Sequence, residues 1–260
     1  MIPYLFQIYG PFYANCYGMA IFLGILIFTY LVNQDPKRSK LVTSAQLQNL
    51  ILWGTLVGIL GGRALWVAGN WPVSWYDIIE IWEGGLSVLG AIIAILCFAA
   101  IYLKRAKVPV LPLLDLIAIY APLLQAISRI GCFMAGCCYG KITGAFWGVI
   151  YTHPDSAVPN SLKHIAIHPT QLYSALILFM IFLLMHNLIS KYFKKPGQLI
   201  AIYLMLSSLE RFLVDFWRAD QEIINLPVLR ALGLQQWIAL GIFGCALILF
   251  VRQSALKTSK

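Results

Sequence analysis

Ser128-Arg129-Ile130-Gly131-Cys132-Phe133-Met134-Ala135-Gly136-Cys137-Cys138-Tyr139-Gly140 packs one arginine, three cysteines and three glycines into a short stretch with long apolar runs before and after it. Greasy scaffolding has no use for that composition. An arginine set beside tight glycine turns at the end of a membrane helix reads as an anion site, because charge is costly there unless it is paired or something negative is bound.

The surrounding chain supports the membrane setting. Of 260 residues 60% are hydrophobic and 11% charged, and the mean hydropathy is +0.80. These values describe a polytopic membrane protein, not a soluble domain. A net charge of +9 would suit nucleic acid, but the cations fall in small clusters between apolar runs, as the positive-inside rule expects. No nucleic-acid partner is therefore expected. Gly61-Gly62 lies inside a membrane run without the strand-turn-helix setting of a phosphate loop, so no nucleotide or other cofactor is implied. Met1 to Gly10 carries no charged segment, so the first apolar run is expected to be retained as a membrane helix.

The pattern predicts an all-α integral membrane protein of about seven transmembrane helices, forming a single domain over residues 1–260. The spans are expected near Tyr17–Val32, Leu47–Val67, Leu86–Leu103, Leu113–Ile127, Pro169–Leu188, Gln198–Trp217 and Leu234–Val251. A connection rich in Trp66, Trp71, Trp75 and Trp82 beside Asp77, Glu80 and Glu83 suits an interfacial loop with an amphipathic or re-entrant piece. Pro109 and Pro112 are read as breaks. Residues 131–167 are read as a folded polar loop outside the membrane.

Orientation follows from the cations. Lys37, Arg38, Lys40, Lys104, Arg105, Lys107, Lys191, Lys194, Lys195, Arg252, Lys257 and Lys260 fall on one side. Arg63, Arg129, Lys141, Lys163, Arg211, Arg218 and Arg230 fall on the other. The imbalance predicts a periplasmic N-terminus and a cytoplasmic C-terminus. Four arginines, Arg63, Arg129, Arg211 and Arg218, then sit near outer helix ends. Arg211, Asp215 and Arg218 are spaced to share one helical face. Two readings stand: a salt-bridge network that ties helices together, or guanidinium groups converging on a lipid phosphate, whose oxygens their planar fork matches.

A series of pieces carries a family resemblance: Tyr17-Gly18-Met19, Gly61-Gly62-Arg63-Ala64-Leu65, Gly84-Gly85-Leu86-Ser87, Ser128-Arg129-Ile130-Gly131, His168-Pro169-Thr170-Gln171-Leu172-Tyr173 and Arg211-Phe212-Leu213-Val214-Asp215-Phe216-Trp217-Arg218. Together they resemble the bacterial prolipoprotein diacylglyceryl transferases over about residues 8 to 250. The resemblance implies a seven-helix, multi-pass enzyme of the bacterial inner membrane with an external N-terminus. It would move the diacylglyceryl group of phosphatidylglycerol onto the lipobox cysteine thiol of a preprolipoprotein, at its signal peptide, and release glycerol phosphate.

By position, the resemblance assigns Arg129 and Arg211 to the departing phosphate. Arg63 and Arg218 support the head group, Tyr17 positions it, and Gly131, Cys132, Gly140 and Asp215 occupy family site positions. The chain also departs from the family pattern. Leu89 stands where the family has a histidine linked to proton transfer. Cys132 and Ala135 replace asparagines, Cys137 replaces a glutamate, Asp215 replaces a glutamate, and Ser174 replaces the acid that follows the Gln-Leu-Tyr piece.

Cys132, Cys137 and Cys138 leave three readings open. These are a disulfide, a reactive thiol activated by Arg129, and a metal site, against which C-x4-C-C is no standard zinc spacing. No metal is assigned. Cys97 and Cys245 read as core residues, and Cys16 as ambiguous. His168, at an outer helix start, is the candidate general acid or base, against the plainer reading of a helix-terminal residue that hydrogen-bonds its loop. Two rivals to the transferase reading remain. One is a related enzyme with another acceptor or with Cys137 or Cys138 as a covalent relay. The other is a lipid-binding membrane protein without catalysis.

Overall fold

The computed structural model describes residues 4–9, 12–79, 85–221 and 232–255. Glu80, Trp82, Glu83, Gly84, Arg230, Lys257 and Lys260 lie outside them. Among the described residues seven helices reach 18 residues or more: α1 Cys16–Gln34, α2 Ser44–Gly69, α3 Val88–Arg105, α4 Val110–Ala135, α5 Thr170–Tyr192, α6 Gln198–Asp215 and α7 Leu234–Ala255. Six are long and apolar enough to cross a membrane, the exception being α6, whose last turns carry Glu210, Arg211 and Asp215. The protein is an all-α membrane protein. Among the described residues the strands form two small antiparallel pairings, β1 Tyr4–Tyr9 with β2 Phe12–Asn15 and β3 Val149–Ile150 with β4 Ala166–Ile167.

The chain clusters into two compact units, residues 33–113 and residues 1–32 with 114–260. In the first, Thr43 opens α2 with a capping box: its hydroxyl accepts from the Gln46 amide, and Gln46 Oε1 accepts from the Thr43 N–H at 3.0 Å. Such a reciprocal pair satisfies two helix-end donors. The α2–α3 crossing depends on glycines. A Cβ on Gly61 would stand 2.9 Å from the Gly90 carbonyl oxygen, and the Ser87 N–H donates to the Gly62 carbonyl at 3.0 Å. Small residues of this kind let helix backbones approach closely in lipid. The Trp-rich connection contains a single helical turn, Trp75–Ile79.

Two boundaries differ from the sequence reading. Pro112 does not break the chain; it lies in the first turn of α4, where a missing N–H leaves no helical bond unmade. At its other end α4 continues past Ile127 to Ala135, so Arg129, Gly131 and Cys132 are helical and the polar loop starts later. Glycine within a helix costs about 1 kcal/mol, but here it has a packing reason. A Cβ on Gly131 would lie 2.7 Å from Ala20 Cβ and 3.1 Å from Tyr17 Cα, so Gly131 lets α1 approach α4.

The loop between α4 and α5 has its own small core of Tyr151, Val158 and Ile167, with Tyr139, Val149 and Leu162 packed against it. Tyr151 donates its hydroxyl hydrogen to the Phe133 carbonyl at 2.8 Å, which fastens this core to the end of α4. Asp115 on α4 accepts from the N–H groups of Gly197 at 2.7 Å and Ile200 at 2.8 Å. A buried carboxylate thus caps the start of α6, where unpaired N–H groups and the helix dipole favour negative charge.

Candidate functional site

Three guanidinium groups reach one small pocket, lined by Arg129, Cys138, Thr170, Gln171, Ser174, Arg211, Val214 and Arg218. Arg129 comes from the penultimate turn of α4, Arg211 from the end of α6, and Thr170, Gln171 and Ser174 from the start of α5. Among the described residues no carboxylate belongs to that wall.

The acids stand behind it. Asp215, 1% exposed, lies 4.0 Å from Arg211 Nη2 and 3.8 Å from Arg218 Nε. Arg218 is beyond the helix end, not on the same helical face as Arg211. Asp220 grips it with two hydrogen bonds, from Nε to Oδ1 at 2.8 Å and from Nη2 to Oδ2 at 2.6 Å. Burial alone would lower the Arg218 pKa, but the Asp220 hydrogen bonds, with Cys138, Asp220 and Asp215 adding electrostatically, raise it overall and keep the guanidinium charged. Among the described residues no carboxylate lies within 4.0 Å of Arg129. Its Nη1 instead approaches Cys138 Sγ at 3.8 Å. The network and the anion site therefore coexist: acids orient Arg211 and Arg218 from behind, while the pocket wall stays cationic.

The backbone beside Arg218 is fixed by Gly140. The two residues form an antiparallel bridge, flanked by bonds from the Lys141 N–H to the Trp217 carbonyl at 2.8 Å and from the Ala219 N–H to the Tyr139 carbonyl at 3.1 Å. A Cβ on Gly140 would collide with the His168 carbonyl and lie 2.6 Å from His168 Cβ, so only glycine fits between these strands of chain.

The cysteines are placed by two left-handed residues, Gly136 at φ +81° and Cys138 at φ +57°. The carbonyls of Cys137 and Cys138 are then pinned from the first turn of α5, by Gln171 Nε2 and Thr170 Oγ1, each at 2.7 Å. Hydrogen bonds from the neighbouring thiols of Cys132 and Cys137, followed by Arg218 and Arg129, lower the Cys138 pKa against the opposing effect of burial. The Cys137 pKa is raised by its hydrogen bonds to Cys132 and Cys138, and then by burial.

The remaining expected residues distribute as follows. Tyr17 sits at the start of α1 against Gly131, within electrostatic reach of Arg129 and the three thiols. His168 does not line the pocket; its Nδ1 is 3.0 Å from the Tyr173 hydroxyl, and that hydroxyl accepts from Trp147 Nε1 at 2.7 Å. Arg63 belongs to the other compact unit, where Nη1 donates to the Gly85 carbonyl at 3.0 Å and the guanidinium lies 4.6 Å from the centre of the Trp66 ring. Leu89 is an exposed residue of α3.

Sequence reasoning passed over Asp220, Gln171, Thr170 and Glu210. Gln171 is 2% exposed and its Oε1 has no hydrogen-bond partner, which leaves a buried acceptor in the pocket wall. Its position in the His-Pro-Thr-Gln piece was the available signal. Glu210 had one as well, as an acid directly before Arg211.

Comparison with known proteins identifies the family. A family model described as prolipoprotein diacylglyceryl transferase matches residues 3–252. A phosphatidylglycerol–prolipoprotein diacylglyceryl transferase of Clostridium tetani is 34% identical over 225 residues, covering 85% of this chain and 86% of that protein. The enzyme of the same name from Thermotoga maritima is 31% identical over 226 residues, with 85% and 76% covered. That of Neisseria meningitidis serogroup B is 28% identical over 270 residues, with 96% and 95% covered.

Proposed function

Because the chain belongs to the prolipoprotein diacylglyceryl transferase family, we propose that its arginine pocket holds the phosphate of phosphatidylglycerol while a lipobox cysteine thiol takes the diacylglyceryl group. The observation that carries this reading is a pocket wall with three guanidinium groups and no carboxylate. A phosphodiester anion is the ligand that such a wall accommodates in a membrane protein. The buried acceptor Gln171 Oε1 suits a hydroxyl of the glycerol head group, since an unpaired buried acceptor is costly until a donor arrives.

In the reaction the acceptor sulfur, deprotonated, attacks the glyceryl carbon that bears the phosphate ester. The S–C bond forms, the C–O bond breaks, and its electron pair leaves on glycerol phosphate. The phosphate gains negative charge as it departs, and fixed cations in a site that excludes water stabilise that change most. Arg129 and Arg211 take this role, Arg218 completes the wall, and Asp215 and Asp220 hold the guanidinium groups in place. Tyr17, set on Gly131, positions the head group. His168 assists through Tyr173, as a positioning residue. A covalent relay through Cys137 is disfavoured chemically, because it would produce a thioether that the acceptor thiol has no easy means of displacing. The protein acts in the bacterial inner membrane, with the site toward the outer face, where the preprolipoprotein signal peptide presents its cysteine.

The test is transfer of labelled diacylglyceryl from phosphatidylglycerol to a lipobox peptide. Arg129→Ala and Arg211→Ala are each expected to lose on the order of 10²-fold or more, the magnitude typical for removing one donor to a developing anion. Full transfer by both variants would sink the assignment.

A further inference from the structure

The proposed reaction is an alkylation of a thiol, and a thiol reacts as its thiolate, so a group that deprotonates the acceptor would assist it. Beside the arginine pocket the sulfur atoms of Cys132, Cys137 and Cys138 all lie within 4.8 Å of one another, and all three are free thiols.

We propose that Cys132, Cys137 and Cys138 bind one zinc ion and leave its fourth position open for the acceptor cysteine thiol. The inference rests on the transferase reading above. Zinc bound to thiolates at about 2.3 Å sets its sulfur ligands about 3.8 Å apart, inside the 4.8 Å within which the three sulfur atoms already lie. A disulfide would need one pair drawn in to about 2 Å. The convergence is built and not incidental. Cys132 is fixed by α4, the left-handed residues Gly136 and Cys138 turn the next two cysteines toward it, and Gln171 and Thr170 hold the Cys137 and Cys138 carbonyls. A non-glycine residue in the left-handed region costs roughly 1–2 kcal/mol, and such strain gathers at functional sites.

The chemistry of the donor set selects the ion. Three soft sulfur ligands with no carboxylate or imidazole among them favour a thiophilic d10 ion over magnesium or calcium. Three thiolates on a divalent ion leave one net negative charge, which Arg129, 3.8 Å from Cys138 Sγ, is placed to balance. A three-protein-ligand site with one open position is the pattern of catalytic zinc, not structural zinc. Cys138 also lines the arginine pocket, so a sulfur held on the ion would be adjacent to the bound phosphate ester.

The step balances without further reagents. The acceptor thiol displaces a water on zinc and its proton passes to solvent, since a coordinated thiol is deprotonated outright. Its electron pair then forms the S–C bond while the C–O pair leaves on glycerol phosphate. The product thioether is a weak ligand, and water returns to the ion.

The full chain in detergent micelles, exposed to Zn²⁺ and freed of excess, is expected to retain one ion per chain, as are the control variants Cys97→Ser and Cys245→Ser. Cys132→Ser, Cys137→Ser and Cys138→Ser are expected to lose it. Exchange for Co²⁺ is expected to give thiolate-to-cobalt absorption that shifts when a lipobox peptide is added and stays still with the peptide whose cysteine is serine. Stoichiometric metal in the triple serine variant would overturn the proposal, as would a disulfide among the three in freshly purified protein, or full-rate transfer by a metal-stripped chain. A peptide-dependent cobalt spectrum without any diacylglyceryl transfer would support the metal site and overturn the transferase reading instead.

Discussion

Ser174 Oγ donates a hydrogen bond to Glu210 Oε1, joining two buried residues on the facing helices α5 and α6. Ser174 stands where the resembling family has an acid, and here the carboxylate arrives from the opposite helix. Ser174→Ala strips a buried carboxylate of this partner and is expected to cost about 1–3 kcal/mol. In a double-mutant cycle with Glu210→Gln the two changes should be non-additive by roughly 0.5–3 kcal/mol, read from thermal unfolding in micelles. Strict additivity would mean that the pair is not coupled.

Asp220 is predicted to act through Arg218. Asp220→Asn removes the charge that holds the guanidinium by both nitrogens, and the Arg218 side chain is then free to turn away from the pocket. The expected result is a raised KM for phosphatidylglycerol with a smaller change in kcat. Arg218→Lys should behave similarly, because an ammonium cannot reproduce the two-pronged geometry. An unchanged KM in both variants would remove Arg218 from head-group binding.

Gly140→Ala is expected to fail more severely than its size suggests. The added methyl meets the His168 backbone, which is itself tied to Lys141 by a bond from the His168 N–H at 2.9 Å, so no flexible side chain is available to yield. Overpacking of this kind costs about 1–3 kcal/mol or more. Loss of folded protein, or of transfer at wild-type folding, is the expected readout; normal activity and stability would show that the clamp is dispensable.

His168→Gln should lower transfer by less than 10-fold, a mild effect beside the roughly 10²–10⁴-fold that general acid–base catalysis contributes. The reason is geometric: the imidazole faces Tyr173, outside the arginine wall. A loss comparable to that of Arg129→Ala would restore His168 as the proton carrier.

Most of the helical scaffold was legible, because long apolar runs ending in lysine and arginine clusters are forced by the bilayer itself. What local pattern concealed was where neighbours override it. Gly131 reads as a helix breaker until α1 is placed against it, and Pro112 reads as a break until it falls in a first helical turn. The arginines were visible as a set, yet spacing alone put Arg218 on the face of α6. The helix stops at Asp215, and the partner Asp220 lies beyond it. The cysteine spacing gave no sign that three sulfur atoms would cluster, because a linear count ignores the two left-handed residues that bring them together.

The cationic wall has a consequence for turnover. Phosphatidylglycerol enters as a phosphodiester with one negative charge, whereas glycerol phosphate leaves as a monoester carrying between one and two at neutral pH. A lining with three guanidinium groups and, among the described residues, no carboxylate holds the second species more firmly than the first. The cycle should then stall at product exit, with added glycerol phosphate acting as a competitive inhibitor and moderate salt quickening release. The pace of the enzyme would be set by how readily its smallest, most water-soluble product escapes to the aqueous side.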